Sequence, residues 1–196
     1  MITLNARPRF DRTPTFTVRG SGTVLVNSVA GNIVQPTVTV MDTATLAFAA
    51  DASLTTSNIT VNAGATLSFA ADAGRSEGTT TIKDGATLEV AESGTVSVSD
   101  LVLEADAILA FNFTDRKTTP VLAVTGDVTA NGRVYVKVPD AARPVVGKHV
   151  LTFGGKFEGK EVALADGAPK WAESVAVEEG EIVLTVKPMG TVISVR

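Results

Sequence analysis

The sequence predicts an all-β chain: a right-handed parallel β-helix of roughly 21-residue coils, closed at its C-terminal end by a β-rich cap of different texture. Three observations carry this expectation. An apolar motif recurs at a fixed step, apolar and small polar residues alternate inside each unit, and the composition suits short strands and tight turns.

The motif is Ala44-x-Leu46-x-Phe48. It returns as Ala65-x-Leu67-x-Phe69, as Ala86-x-Leu88-x-Val90 and as Ala107-x-Leu109-x-Phe111, 21 residues further on each time. A second column keeps the step through Val40, Val61, Ile82 and Leu103, and a third through Val38, Ile59, Thr80 and Leu101. Turn residues recur as well: Gly64 answers Gly85, and Ala49-Ala50-Asp51-Ala52 answers Ala70-Ala71-Asp72-Ala73.

Within a unit the period is two, the signature of strands with one buried face. Val38-Thr39-Val40 reads as one short strand and Thr45-Leu46-Ala47-Phe48 as the next, with a turn at Met41-Asp42-Thr43 between them. Each unit holds two clear strands and has room for a third. No unit of this size buries its own apolar face. Stacking does so, with like residues about 4.8 Å apart in internal ladders of Leu on Leu and Phe on Phe.

Other repeat architectures fit less well. Leucine-rich repeats need an Asn column, and none exists here. A left-handed hexapeptide helix wants a step divisible by six, helical repeats need a 3.6-residue period, and an ordinary sandwich has no constant step.

The register loosens toward the ends. Gly22-Thr23-Val24-Leu25-Val26 reads as an earlier coil, with Val24 placed 22 residues before Leu46. Thr114 to Pro120 reads as a polar loop that breaks the step, and Leu122-x-Val124 and Val134-x-Val136-x-Val138 resume it. The third side is weak: Leu54, Arg75 and Val96 share a column, and a charge cannot face a dry core. A bulge or short loop is therefore expected at Arg75-Ser76-Glu77-Gly78.

From Pro139 charges rise and prolines interrupt the chain, so residues 1–138 are read as the solenoid and 139–196 as its cap. Val175-x-Val177 and Ile182-x-Leu184-x-Val186 read as a β-hairpin with Gly180 in its turn, and Thr191 to Val195 as a last strand. A solenoid needs such a segment, because its last coil exposes a strand edge and a disc of core. Trp171, the only tryptophan, is the expected lid over that disc.

Apolar residues make up 44% of the chain and aromatic ones 5%, which disfavours a core built around large rings. The net charge is −4 with both signs mixed, so there is no basic footprint for nucleic acid or anionic lipid. No apolar run of ~18 residues is present, and no membrane insertion by this segment is expected. The absence of cysteine excludes disulfides, thiolate metal sites and a cysteine nucleophile. Met1 to Arg12 has no apolar core of a signal peptide, so a secreted origin implies a piece of something longer.

Candidates for chemistry are few. His149, the only histidine, sits in the strand pattern Lys148 to Phe153, and no G-x-S-x-G elbow accompanies it. Asp51 and Asp72 occupy equivalent turns in neighbouring coils. They are candidate ligand-binding residues, either for Ca²⁺ or as the acid pair of a polysaccharide-binding or polysaccharide-cleaving β-helix. The simpler reading is that each bonds its own turn backbone, and Ser93 ends the column. Thr39, Thr60 and Thr81, with Thr37 and Thr79, form an outward array of the kind an ice-binding solenoid presents, but Thr is also an ordinary exposed strand residue and the column ends at Val102. Asn58-Ile-Thr60 and Asn112-Phe-Thr114 match the glycosylation pattern, which occurs often by chance. No catalytic residue, metal site or cofactor is assigned.

The tandem T-L-x-[FV]-A units resemble bacterial autotransporter-type passenger helices, the β-strand-repeat class of large surface proteins. Gly147 to Gly159, with Pro169-x-Trp171 and Gly180-Glu-Ile-Val-Leu184, is similar to the segment that ends many such repeat regions. The resemblance covers the chain from about Gly20 onward. It implies an extracellular or cell-surface location and a structural or adhesive role without catalysis. The implied partners are a host or matrix polysaccharide or a surface protein, with end-to-end association of copies where the N-terminal edge is uncapped. No membrane barrel and no sorting signal after Pro188 accompany it.

Overall fold

The computed structural model describes residues 1–4, 15–27, 35–52, 56–74, 78–90, 94–112, 120–138, 147–153, 157–178 and 181–188. Among them there is no helix. The strands in chain order are β1 (Ile2–Leu4), β2 (Phe16–Val18), β3 (Thr23–Val26), β4 (Gln35–Val40), β5 (Thr45–Phe48), β6 (Thr56–Val61), β7 (Thr66–Phe69), β8 (Thr79–Ile82) and β9 (Thr87–Val90). They continue as β10 (Gly94–Val98), β11 (Asp100–Leu103), β12 (Ala107–Phe111), β13 (Pro120–Val124), β14 (Val128–Lys137), β15 (Gly147–Phe153), β16 (Phe157–Leu164), β17 (Ala172–Glu178) and β18 (Glu181–Val186).

Strands β1 to β16 stack in parallel on three sides of a coil, so the chain is a β-solenoid. One side runs β2, β4, β6, β8, β11 and the first half of β14. The next runs β1, β3, β5, β7, β9, β12 and the second half of β14. The third begins with a single bridge between Gly74 and Ser97 and continues through β10, β13 and β15.

The columns read from the sequence are the columns of the fold. Leu46 pairs with Leu67, Leu67 with Leu88 and Leu88 with Leu109. Phe48, Phe69, Val90 and Phe111 line up beside them, and the rings of Phe48 and Phe69 stack with centroids 4.9 Å apart. Across the coil Val40, Val61, Ile82 and Leu103 form the facing ladder. Every one of these side chains is buried, and Phe111, the most accessible, is 8% exposed. Thr80 lies fully buried in the column of Val38, Ile59 and Leu101.

The corner between the first two sides explains the Ala column. Ala44, Ala65, Ala86 and Ala107 each donate a backbone N–H three residues back, to Met41, Asn62, Lys83 and Glu104. The alanine that closes each turn is buried and packs into the core. Gly64, Gly85 and Asp106 take the third place of their turns with φ of 78°, 65° and 58°, the signature of type II. In the earlier coils the left-handed residue is one place sooner, at Gly20 and Asp42. Gly64 has a further constraint: a Cβ there would lie 2.9 Å from the Asp42 carbonyl oxygen.

The step lengthens toward the C-terminus without loss of register. Leu109 pairs with Val136 and Leu103 with Ala130, and β16 then pairs with both halves of β14. Stacking thus runs past Pro139, with β15 on β13 and β16 on β14. A register shift between Ala130 and Arg133 lets β14 turn the corner as one strand. Gly132 sits at that corner, where a Cβ would meet the Ala105 Cβ at 2.6 Å.

The closing element is antiparallel. β18 pairs with β15, and β17 pairs with β18. This is the hairpin expected from Val175 to Val186. Ile182 and Leu184 join the buried core, and Trp171 packs against it. The bulge expected at Arg75–Gly78, the loop from Thr114, the turn at Gly180 and the strand at Thr191–Val195 fall wholly or mainly outside the described residues.

Candidate functional site

Polar side chains at the corners, and Asn58 within β6, link one winding to the next. The Gly20 N–H donates to Asp42 Oδ2 at 3.0 Å, and the Thr79 N–H to Asn58 Oδ1 at 3.1 Å. The Asp127 N–H donates to Asp100 Oδ1 at 3.1 Å. At a corner the backbone leaves the ladder geometry, and an unmet N–H there costs stability. A short acceptor side chain supplies the missing bond.

The candidate pair Asp51 and Asp72 belongs to this setting. Both hold left-handed backbone, with φ of 59° and 58°, in turns closed by Ala52 N–H to Ala49 O and Ala73 N–H to Ala70 O. Asp72 Oδ1 accepts the Thr95 N–H at 3.3 Å, so this carboxylate reaches the next winding and not its own turn. The Asp51 N–H donates to Ala71 O at 3.2 Å. Among the described residues no three His, Cys, Asp or Glu side chains gather as a metal site. The backbone of His149 lies within β15, opposite Leu184.

Charged contacts on the outside are sparse among the described residues. Glu104 accepts from Lys83 at 3.4 Å and from Asn131 at 3.2 Å, a stack of polar groups up one corner. Arg133 meets both oxygens of Glu161 at 2.9 Å, and that bond holds its guanidinium above the ordinary pKa.

The outward Thr column of the first side, Thr39, Thr60 and Thr81, is in register and half-buried, and Val102 follows it. The second side carries an equivalent column that sequence reading passed over: Thr45, Thr66 and Thr87, each just before a ladder leucine. The signal was the T of every T-L pair. Beside this column lies a second outward one, in which Glu89 pairs with Ala110 and Ala110 with Lys137. Together with Asn112 these residues line an open groove of about 310 Å³. Asn112 Nδ2 donates to Glu89 Oε1 at 2.6 Å across it.

No helix among the described residues is long and apolar enough to cross a membrane. Compared with known proteins, the chain matches no family model, no curated protein and no solved structure.

Proposed function

We propose that this chain is a rigid segment of a bacterial surface repeat protein, a rod that displays loops or holds a distal domain away from the cell. The observation that carries the reading is the continuity of the internal ladders. Leu46, Leu67, Leu88 and Leu109 stay in register through successive windings, and polar side chains bridge those windings at 3.0–3.3 Å. Stiffness follows, because bending the rod means breaking backbone ladders and buried columns together. The bond from Thr95 N–H to Asp72 supports a structural use of that carboxylate. The resemblance of the T-L-x-[FV]-A units to autotransporter-type passengers supports the surface location and the adhesive setting.

The test is extension. Four added copies of the unit from Asn62 to Ile82 should lengthen the particle by about 20 Å in small-angle scattering, with the thermal midpoint unchanged or raised. Antibodies against the folded chain should label intact cells of the source bacterium. Loss of folding on extension would remove the rod, and unlabelled intact cells would remove the surface assignment.

A further inference from the structure

The groove outside the second side of the coil combines features that a rod alone does not require. Thr45, Thr66 and Thr87 form a straight rail of hydroxyls, one per winding, spaced about 4.8 Å apart along the coil axis. Parallel to it, one strand-alternation away, runs the column Glu89, Ala110, Lys137. Ala110 presents only a methyl group between a carboxylate below and an ammonium above. The result is a notch with hydrogen-bonding walls and a small apolar floor.

The groups suit a polyhydroxylated ligand. Glu89 is an acceptor, Lys137 a donor, and Asn112 and the threonines are both. Asn112 donates to one Glu89 oxygen at 2.6 Å, which fixes the carboxylate beside the amide. A fixed carboxylate with an adjacent amide can accept from one hydroxyl of a vicinal diol and donate to the next. Among the described residues Lys137 makes no ion pair, so its ammonium is available. The charges of Glu89 and Lys137 cancel, which gives a polyanion or a polycation no net attraction. The rail repeats at roughly the length of a sugar ring along a chain, so successive rings can meet successive hydroxyls.

We propose that this groove binds an uncharged polysaccharide lying along the coil axis, with Glu89, Asn112 and Lys137 holding one ring over Ala110 and the Thr rail holding the chain that follows. Asp51 and Asp72 have no part in this site, and it does not rest on the display-rod reading.

The experiment titrates the full chain with cellohexaose, hexa-N-acetylchitohexaose and, as an anionic comparison, hexagalacturonate, followed by amide chemical shifts. At least one neutral hexasaccharide binds with an affinity on the order of 1 mM or tighter, and the shifts centre on Thr66, Thr87, Ala110 and Asn112. Glu89→Ala weakens that binding about tenfold. Ala110→Phe, which fills the notch and leaves every polar group in place, abolishes it. Unchanged far-UV circular dichroism and thermal midpoint show that both variants remain folded; should Ala110→Phe unfold, Ala110→Val serves as the filling variant. The proposal is overturned if neither neutral sugar binds, if hexagalacturonate binds as well as they do, or if folded Glu89→Ala and filling variants bind like the parent.

Discussion

Leu67→Ala tests the inward ladder where it is most confined. Leu67 is 0% exposed and sits between Leu46 and Leu88, which are 2% and 1% exposed. Three lost carbons forfeit about 2.4 kcal/mol of transfer free energy at about 0.8 kcal/mol each. The cavity adds to this, because each neighbouring leucine is pinned by a backbone ladder and cannot slide in, so a total of about 4 kcal/mol is expected, in the upper part of the usual range. The matched control is Thr66→Ala, one residue earlier and pointing outward, with an expected cost below about 1 kcal/mol. Urea unfolding followed by far-UV circular dichroism, fitted with a common slope, reads the difference as a shift in midpoint. If the two variants agree within about 1 kcal/mol, Leu67 does not lie in a close-packed column and the reasoning fails.

Other positions give independent checks. Leu67→Asp places an unpaired charge inside the ladder and should abolish cooperative unfolding; an unchanged melting curve would contradict the burial. Gly64→Ala should cost at least about 1 kcal/mol more than Gly85→Ala, because both strain a positive φ but only Gly64 also meets the Asp42 carbonyl; equal urea midpoints would deny that contact. Asp72→Ala loses a corner bond and leaves a non-glycine residue in the left-handed region. It should cost about 1–2 kcal/mol by urea midpoint, and a neutral outcome would show that the bond to Thr95 does not matter. Truncation after Gly167 removes β17 and β18 and bares the edge of β15. Light scattering should then show association, and a monodisperse monomer would mean that the hairpin is not a cap.

The parts of the fold legible in the sequence are those where turn length is constant. From Val38 to Phe111 the inward residues of the first two sides recur at a single step, so their columns are legible before any strand is located. On the third side the buried Val96 and Val98 answer Arg75 and Glu77, and the step is lost. Val24 was also placed correctly, and it pairs with Leu46. Past Phe111 the signal fades for a physical reason. Register is held by ladder bonds and buried faces, and neither depends on how many residues the corner or loop contains. Leu103 therefore still stacks under Ala130, and Ala130 under Gly159, although the intervening lengths differ. A period search cannot follow that change, and the stacking of β15 and β16 past Pro139 was hidden by it. The corner role of Asp72 was only half visible: its turn was evident, but its bond crosses to Thr95, a partner set by stacking. The groove was less visible still, because Glu89, Asn112 and Lys137 share no column in the sequence and meet only once the windings are superimposed.

The central claim is that equivalent residues rise one winding at a time along a common axis. Thr17, Thr39, Thr60, Thr81, Val102 and Thr129 mark that axis on the outside. The chain has no cysteine, so nitroxide labels can be placed in pairs without background. Double electron–electron resonance on Thr17→Cys with Thr129→Cys should report about 24 Å between backbone positions, and moving the first label to Thr39 should shorten this by about 5 Å. Two distances that agree, or a change unrelated to the winding number, would contradict the stacked coil.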